Sequence, residues 1–374
     1  MIVTVALRNL LYDRLRLLAT LAGVAFSVIL MAGQTAIYVG ASRTITTMID
    51  RSRADQWIMP LGSQSFEDGL PLLTEFDRQG ALSTPGVESA TPVVSSFTDW
   101  LSSAGNSSSI VLVGSDSASV GPEPPLSQGA NDEPLSPRSV VIDRRYVDDL
   151  GVTGIGDLAG IGGYRIRVGA LSAGVRSFTQ SPYVFARPEQ ARRYLGIPAD
   201  STTFLLVRVG ASKSLRRVQT ALAARLSNVE VLTADEFRKR SLDRWLMQTG
   251  AGQALIIGTI LGAVVGTVII AQTINTCVRD HLSEFALLRS MGSSISYVQS
   301  IVLVQALAIA AAGAAIGLSL LLPLVPLSQD SPLLLMLTPQ LILLIIIATF
   351  GISVLSSIGA VTKVRKLDPA VLFK

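Results

Sequence analysis

The segment Trp245–Val278 has the sequence WLMQTGAGQALIIGTILGAVVGTVIIAQTINTCV and contains no Asp, Glu, Lys or Arg. About 20 predominantly apolar residues form a helix that crosses the hydrocarbon core of a bilayer, so this segment can hold one transmembrane helix. Three more charge-free segments occur, at Leu17–Ser42, Ser290–Gln329 and Ser331–Thr362. We therefore predict four transmembrane helices, at about Leu17–Ala41, Gly250–Ile274, Val298–Leu322 and Leu335–Ser357.

The composition agrees with a membrane protein and excludes several other classes. Of the 374 residues, 49% are hydrophobic and 16% are charged, whereas soluble domains contain about 25% charged residues. Such a chain is also too apolar for a disordered protein. The single His and the single Cys exclude a multi-His metal site and a disulfide framework.

The basic residues beside the charge-free segments predict the orientation. Arg8, Arg14 and Arg16 precede the first predicted helix, and the tail after residue 362 carries four more Lys and Arg. Basic flanks stay in the cytoplasm, so we expect both termini there. The net charge of +4 then reflects topology and contact with anionic lipid rather than nucleic-acid binding. A cleaved signal peptide is the alternative for residues 17–42, but that apolar run is too long for one.

Residues 43–244 have the pattern of an external, mixed α/β domain. Short runs rich in Val, Ile, Leu and Tyr are bounded by Gly, Pro or Asp, which is typical of strands. Helices are predicted at Glu189–Leu195, which follows Pro188, and at Ser212–Leu226. The predicted strands are Gln56–Met59, Ser109–Gly114, Ser139–Ile142, Tyr164–Leu171, Tyr183–Ala186, Phe204–Val209 and Glu230–Leu232.

Residues 115–137 differ from the rest of this domain. They hold five of the chain's 17 prolines, together with Ser, Gly and Asp, and show no apolar periodicity. We predict a long flexible loop that splits the domain into Arg43–Gly114 and Arg138–Arg244. A loop that contacts a substrate and a plain solvated loop both fit this composition.

The two ends of the external segment predict a helical stalk. Arg43–Arg53 extends the first transmembrane helix outward with polar residues, and Ala234–Met247 leads into the second. A rigid stalk could pass motion between the membrane and the outside. A simple connector is equally compatible with the sequence.

The loop between the second and third predicted helices, which we name the inner loop, has the sequence RDHLSEFALLRSMG at Arg279–Gly292. Leu282, Phe285, Leu288 and Met291 recur every three residues, which predicts a short amphipathic helix on the cytoplasmic face. Gly292 suits the left-handed residue that ends such a helix. The apolar stripe needs a partner, which is either the lipid headgroups or another protein.

Small residues repeat at every fourth position of the second predicted helix and indicate close helix packing. Contact within one subunit and contact between two subunits both fit this spacing. For the third helix, where the repeat is shorter, we expect packing within the subunit. The residues are Gly250, Ala254, Gly258, Gly262 and Gly266 in the second helix, and Gly313 and Gly317 in the third.

No catalytic set emerges from the sequence. Gly154–Gly163 lacks the spacing of a nucleotide-binding loop and predicts a glycine-rich turn before the strand at Tyr164. His281 is the only imidazole and lies on the inner loop, which excludes a Ser-His-Asp triad in the external domain. We expect His281 to be a solvated surface residue, and a membrane enzyme is the least favoured class.

The inner loop carries a resemblance to a known family. Arg279-x4-Glu284-Phe-Ala-Leu-Leu-Arg289-Ser-Met-Gly292 resembles the coupling motif of FtsX/MacB-type (type VII) ABC transporter permeases. The basic start at Ala6–Leu18 and the ending Lys363–Leu372, with its Asp-Pro-Ala, are similar to the family's terminal segments. Further similarity to the periplasmic core domain lies at Gly86–Val93 and Ser139–Asp143. Leu15–Gln34 and Asp280–Gly292 resemble the DevC-like subgroup.

The resemblance implies a multi-pass permease in the bacterial inner membrane, with no catalytic activity of its own. Two copies would pair with two copies of a separate cytoplasmic ABC ATPase, which would hold the ATP and Mg, because the chain has no G-x4-G-K-[ST] loop. No cofactor is expected on this chain. The homodimer would form through helices 1 and 2, including the small residues of helix 2. The ATPase-coupling residues would be Arg279, Leu282, Glu284, Phe285, Leu288, Arg289 and Gly292.

The resemblance leaves two functions open. One is an exporter of a lipid, peptide or other amphiphile, which works with a periplasmic membrane fusion protein and an outer-membrane channel. The other is an FtsX-like regulatory scaffold, which activates a cell-wall hydrolase or senses an external ligand without transporting it.

Together these inferences define the fold class as an α-helical membrane protein with four transmembrane helices in a 1 + 3 arrangement. A large mixed α/β periplasmic domain lies between helices 1 and 2. The expected parts are a cytoplasmic amphipathic helix (1–16), TM1 (17–42), the periplasmic core domain with stalk ends (43–244), TM2 (245–278), the coupling helix (279–296), TM3 (297–329), TM4 (330–362) and a cytoplasmic tail (363–374).

Overall fold

The computed structural model describes residues 2–69, 71–116, 121–129, 138–211, 213–281, 284, 287, 291–330 and 334–365. The chain divides into two compact units. Met1–Ala41 and Gln253–Lys374 form the first, which we name the helical unit. Ser42–Gly252 forms the second, which we name the α/β domain.

Four of the described helices explain the charge-free segments. Arg14–Arg51, Gly250–Asp280, Ile295–Leu327 and Pro339–Gly359 are each long and apolar enough to cross a membrane. The α-helices are α1 (Ile2–Tyr12), α2 (Arg14–Arg51), α3 (Glu75–Leu82), α4 (Pro188–Leu195), α5 (Leu215–Arg225), α6 (Ala234–Leu242), α7 (Gly250–Asp280), α8 (Ile295–Leu321), α9 (Leu324–Leu327) and α10 (Pro339–Arg365).

Local side chains fix where two of the long helices begin. The Oδ1 atom of Asp13 accepts a hydrogen bond from the backbone N–H of Arg16 at 3.1 Å, which satisfies a free donor at the start of α2. At the start of α8, the hydroxyl oxygen of Ser294 accepts a hydrogen bond from the backbone N–H of Tyr297 at 3.3 Å. At its other end α2 continues past the charge-free segment, without a break, to Arg51.

Helix α8 is the most buried of the long helices in the helical unit. It packs against α1 and α10. Gly313 and Gly317 bring its backbone close to α2, since a Cβ atom at Gly317 would lie 3.0 Å from Val28 Cβ. Gln305 donates a hydrogen bond to the carbonyl of Ala6 in α1, at 3.4 Å. Small residues and one buried amide therefore hold α1, α2 and α8 together.

The α/β domain is built on one ten-stranded, mostly antiparallel sheet. The strand order is β12-β1-β11-β3-β4-β9-β6-β8-β5, and β7 pairs with both β3 and β8. The remaining strands, β2 and β10, form a separate pair. The strands are β1 (Gln56–Pro60), β2 (Leu73–Thr74), β3 (Val87–Leu101), β4 (Ser107–Gly114), β5 (Leu126–Gly129), β6 (Ser139–Asp143), β7 (Leu158–Ile161), β8 (Tyr164–Ser172), β9 (Tyr183–Ala186), β10 (Ser201–Thr202), β11 (Phe204–Val209) and β12 (Val229–Thr233).

The strand order corrects the expectation that residues 115–137 split the domain. β1 comes from the first predicted half, yet it pairs on one side with β11 and on the other with β12, both from the second half. β3 likewise pairs with β11. The two halves therefore share one hydrogen-bonded sheet and cannot fold as separate domains.

Five of the described strands escaped the sequence pattern, and two of them, β2 and β10, are only two residues long. β3 is the longest strand of the sheet, but Pro92 and its Ser and Thr residues hide it among turn-forming residues. β5 lies inside the predicted flexible loop and all four of its residues are exposed, so it has no apolar signal. β7 lies in the predicted glycine-rich turn and forms a hairpin with β8. Residues 117–120 and 130–137 of the predicted loop lie outside the described residues.

An aromatic cluster forms one of the cores of the α/β domain. Trp57, Phe66, Phe204 and Phe237 meet with ring centroids 5.1 to 6.0 Å apart. Since aromatic side chains bury large areas, this cluster contributes strongly to the stability of the domain. Phe66 of this cluster also packs against the ring of Tyr183, with the ring centroids 6.4 Å apart.

Candidate functional site

The inner loop joins α7, which ends at Asp280, to α8, whose N-cap is Ser294. Four of the predicted coupling residues lie outside the described residues, namely Leu282, Phe285, Leu288 and Arg289. Arg279 is exposed in the last turn of α7, and Glu284 is also exposed. Gly292 has a φ of +91°, in the left-handed region that glycine tolerates and that commonly ends a helix.

Glu284 ties the inner loop to the N-terminal helix. Its Oε2 atom accepts a hydrogen bond from Asn9 Nδ2 at 2.8 Å, and its Oε1 atom lies 3.1 Å from His281 Nδ1. The His281 residue is 5% exposed, so the expectation of a solvated histidine is wrong. Both oxygens of this predicted coupling residue are therefore engaged within the chain.

A second contact in the helical unit joins α2 to the end of α7. Arg16, near the start of α2, lies 3.4 Å from the carboxylate of Asp280 at the end of α7, and 3.6 Å from that of Asp13. The ion pair is partly exposed, so its contribution to stability is about 1 kcal/mol or less. Sequence reasoning missed Asn9, Arg16 and Asp280 because nothing local in the sequence predicts these distant partners.

The inner loop also presents apolar side chains. Leu287 is 63% exposed and Met291, four residues later, is 76% exposed. Residues four apart lie on the same face of a helical turn, and the backbone N–H of Met291 donates to the carbonyl of Leu287 at 3.1 Å. Met291 belongs to the predicted apolar stripe, whereas Leu287 does not. Glu284 thus anchors a segment that displays these two side chains on its surface.

The small residues of α7 pack against α2 of the same chain. A Cβ atom at Gly262 would lie 2.9 Å from Gln34 Cγ, one at Gly266 would lie 2.5 Å from Met31 Cγ, and one at Gly258 would lie 3.2 Å from Gln34 Oε1. This face is therefore filled within the subunit, so a contact between subunits would need another face of α7. Gly250 and Ala254, which share the spacing, are exposed.

The opposite face of α7 is apolar and uncovered. The exposed fractions of its side chains reach 56% at Ile257, 57% at Ile260 and 52% at Val264. In water such a face would be unfavourable by about 25 cal/mol per Å². It is suited to lipid or to a second apolar helix.

In the α/β domain, Arg238 of α6 forms an ion pair with Asp50 at the C-terminal end of α2. Its Nε and Nη2 atoms each lie 2.8 Å from Oδ1 of Asp50, and it also pairs with Asp235. Thr46 donates its hydroxyl to Asp50 Oδ2 at 2.6 Å. Partial burial lowers the pKa of Arg238, but its hydrogen bonds to Asp50 and Asp235 outweigh this effect and raise it. We name this arrangement the stalk clamp.

A buried carboxylate lies beneath the connection between α6 and α7. Glu67 is 3% exposed. It accepts hydrogen bonds from the hydroxyl of Tyr183 at 2.6 Å and from the indole N–H of Trp245 at 3.1 Å. Burial raises the pKa of Glu67 although these hydrogen bonds lower it. Burial, and then the charge of Glu67, raise the pKa of Tyr183.

Trp245 lies in an irregular helical turn. Residues Asp243–Met247 form a π-helical turn between α6 and α7. Such turns are rare and occur frequently at functional sites. The Trp245 ring also packs edge-on against Phe178, at 5.8 Å, and a Cβ atom at Gly252 would overlap its carbonyl oxygen. The sequence predicted a helix here, but neither the π turn nor the partner carboxylate.

Comparisons with known protein families agree with a chain that combines an α/β domain with long apolar helices. The MacB-like periplasmic core domain matches residues 17–225, and the FtsX-like permease C-terminal region matches residues 256–369. The first match alone covers more than half of the chain, and the two together define a membrane transport component. The chain therefore belongs to the FtsX/MacB-type permeases of ABC transporters.

Three solved structures illustrate what the chain is similar to. The extracellular domain of the noncanonic ABC-type transporter YknZ from Gram-positive bacteria has 12% identity and a TM-score of 0.36, covering 48% of this chain and 99% of its own. The periplasmic region of MacB from Actinobacillus actinomycetemcomitans has 13% identity and a TM-score of 0.37, and the match covers 51% of this chain and 94% of that one. A domain of a putative permease protein from Porphyromonas gingivalis has 12% identity and a TM-score of 0.33, and the match covers 49% of this chain and 89% of that one. No curated protein matches the chain.

Proposed function

We propose that this chain is the transmembrane subunit of an ABC exporter, in which a separate ATPase drives motion of the α/β domain on the periplasmic side. The observation that carries the proposal is the inner loop. Glu284 anchors it to α1 through Asn9, while Leu287 and Met291 remain exposed. An anchored segment with an exposed apolar face can receive a partner and pass its movement to the attached helices.

The orientation in this proposal places both termini and the inner loop in the cytoplasm. The supporting observation is the excess of Arg and Lys in the two terminal flanks. The ATPase would then approach the inner loop from the side where ATP is present. ATP and Mg would bind to that partner rather than to this chain.

Two features of the α/β domain support transmission of motion. Helix α2 is continuous to Arg51, and the stalk clamp between Asp50 and Arg238 joins its last turns to α6. Helix α6 leads through the π-helical turn into α7. A displacement of α2 would thus reach α6 directly, and Trp245 would carry it to the buried Glu67.

The functional assembly would be a homodimer that recruits further partners. The uncovered face of α7 around Ile260 and Val264 is the surface we assign to the second subunit. A periplasmic membrane fusion protein and an outer-membrane channel would complete an export path for a lipid, peptide or other amphiphile. In this assembly the exposed side chains of Leu287 and Met291 on the inner loop would contact the ATPase.

A pull-down experiment tests the proposal. The tagged chain, purified in mild detergent, should retain a protein that carries a phosphate-binding loop, and the eluate should hydrolyse ATP. Leu287→Asp combined with Met291→Asp should abolish this recovery, because charged side chains cannot enter an apolar groove. Leu61→Asp, at a similarly exposed leucine of the α/β domain, is the matched control and should leave recovery unchanged.

Two results would count against parts of the proposal. Equal recovery of the ATPase with the double variant would show that these residues are not the contact. Recovery of a cell-wall hydrolase without a membrane fusion protein would favour the regulatory scaffold instead.

A further inference from the structure

A groove of about 740 Å³ opens on the α/β domain between two hairpin turns. The turn that joins β3 to β4 forms one wall, and the turn that joins β7 to β8 forms the other. The strand register defines the floor. Arg165 lies opposite Gly160, and Leu101 lies opposite both Gly160 and Ser107. Side chains that are directly opposite in an antiparallel sheet point to the same face, so these four positions form one row across the sheet.

Gly160 makes the floor open. It has no side chain, and a Cβ atom there would lie 3.5 Å from Leu101 Cβ, in ordinary contact. The absence of that methyl group leaves a channel between Arg165 on one side and Leu101 on the other. Gly162 and Gly163 extend the channel into the turn between β7 and β8.

The walls of the groove are partly apolar and exposed to water. Leu101 is 50% exposed and Leu158 is 48% exposed. Both line the groove and lie on the same face of the sheet as Gly160. Contiguous exposed apolar side chains that are bordered by polar groups typically mark a binding surface.

Two opposite charges lie in this groove without partners. Among the described residues, the side chains of Asp99 and Arg165 make neither an ion pair nor a hydrogen bond. Asp99 lies two residues before Leu101 on β3, whereas Arg165 lies two strands away on β8. Strand β7, which carries Gly160, therefore lies between the strands that carry the two charges.

We propose that this groove binds the head group of a zwitterionic amphiphile. Arg165 takes the anionic group, such as a phosphate, because a guanidinium donates two parallel hydrogen bonds to such oxygens. Asp99 takes the cationic group, and an apolar chain lies over Gly160 between Leu101 and Leu158. The proposal concerns equilibrium binding only, so it does not depend on the ATPase contact.

A titration with three short-chain lipids tests the charge assignment. Dihexanoyl phosphatidylcholine, dihexanoyl phosphatidylglycerol and dihexanoylglycerol share their acyl chains but carry zwitterionic, anionic and neutral heads. Each is titrated, below its micelle concentration, into the full chain held in amphipol, with calorimetric detection. The zwitterionic lipid should bind about two- to fivefold more tightly than the anionic one, which is the size of one exposed ion pair.

Variants separate the two charges. Arg165→Gln should weaken binding of both charged lipids by about two- to fivefold, whereas Asp99→Asn should weaken only the zwitterionic one. Arg208→Gln and Glu88→Gln alter exposed charges on β11 and β3 away from the groove, and they should change nothing. Circular dichroism checks that every variant keeps the wild-type fold.

Three outcomes would overturn the proposal. They are absence of saturable binding, equal binding of the neutral lipid, and equal binding of the two charged lipids with no effect of Asp99→Asn. Failure here would leave ATPase recovery in the pull-down unaffected, so the two proposals fail separately.

Discussion

The indole N–H of Trp245 donates a hydrogen bond to the carboxylate of Glu67 across 3.1 Å, although the two residues are 178 positions apart in the chain. The bond joins the π-helical turn before α7 to the aromatic core of the α/β domain. Because Glu67 is almost completely buried, this contact is both polar and shielded from water.

Removing the donor at Trp245 should destabilise the domain. Trp245→Phe keeps an aromatic ring against Phe178 but leaves Glu67 with one hydrogen bond fewer. A buried acceptor that loses a partner costs about 1 to 3 kcal/mol. Urea unfolding of the purified protein, followed by circular dichroism, measures the loss. Trp245→Leu, which also removes the ring contact, should cost more, and equal stability of Trp245→Phe and wild type would refute the role of the hydrogen bond.

The raised pKa of Glu67 predicts how stability varies with pH. The folded state binds the proton more tightly than the unfolded state, in which the pKa of Glu67 lies near the ordinary glutamate value of 4.5. Stability is therefore greatest below that value and falls as the pH rises through the higher pKa of the folded state. Glu67→Gln should remove this slope, whereas Glu88→Gln, at an exposed position on β3, should retain it. Thermal unfolding across pH 4 to 8 is the measurement, and identical slopes in all three proteins would contradict the assignment.

The stalk clamp predicts a salt-dependent coupling. Arg238 and Asp50 are each more than a third exposed, so a double-mutant cycle with Arg238→Ala and Asp50→Ala should give about 0.5 to 1 kcal/mol at low salt. The coupling should shrink at 1 M salt, because screening weakens exposed charge pairs. Arg238→Lys keeps the positive charge, so this variant should lose only part of the coupling energy. A coupling energy of zero at low salt would show that the clamp does not act as a unit.

The glycines of α7 predict a packing defect rather than a loss of self-association. Gly266→Leu would force a side chain into Met31, and overpacking of this kind typically costs about 1 to 3 kcal/mol. Gly351 in α10 has no atom near its potential Cβ position, so Gly351→Leu is the matched control and should be nearly neutral. The measurement is the thermal unfolding midpoint of each variant in nanodiscs, which should fall for Gly266→Leu and stay near the wild-type value for Gly351→Leu. An unstable Gly351→Leu with a stable Gly266→Leu would reverse the assignment of the packed face.

The sequence predicted the four long apolar helices well because the bilayer imposes a strong pattern, whereas it missed the short helix α3. Absence of charge over 26 or more residues can be counted directly, and Pro188 and Gly196 mark the ends of α4 in the same local way. Strands β9 and β11 were found because short apolar runs fill them. β3 was missed because its backbone pairing with β11 and β4 stabilises a polar sequence, and that pairing depends on distant residues.

The candidate sites were less predictable for the same reason. Glu284 could be recognised within the inner loop, but its partner Asn9 lies 275 positions away. Glu67 has the appearance of an ordinary surface carboxylate. Only the fold places Tyr183 and Trp245 around it, and nothing in the local sequence encodes that burial.

The pairing of β1 with β12 has a mechanical consequence. Gln56, which follows α2, lies opposite Thr233, which precedes α6, so the chain enters and leaves the sheet at the same end of one ladder. A force that separates α2 from α6 would therefore break the hydrogen bonds of this ladder one after another. Sequential rupture requires far less force than sliding the strands past each other, which breaks the bonds together. The ion pair of Asp50 and Arg238 lies on the two helices that flank the ladder. Met48 and Ile49 of α2 and Phe237 of α6 are buried in one apolar core. A force on this ladder would therefore have to disrupt both the ion pair and that core before the strands separate.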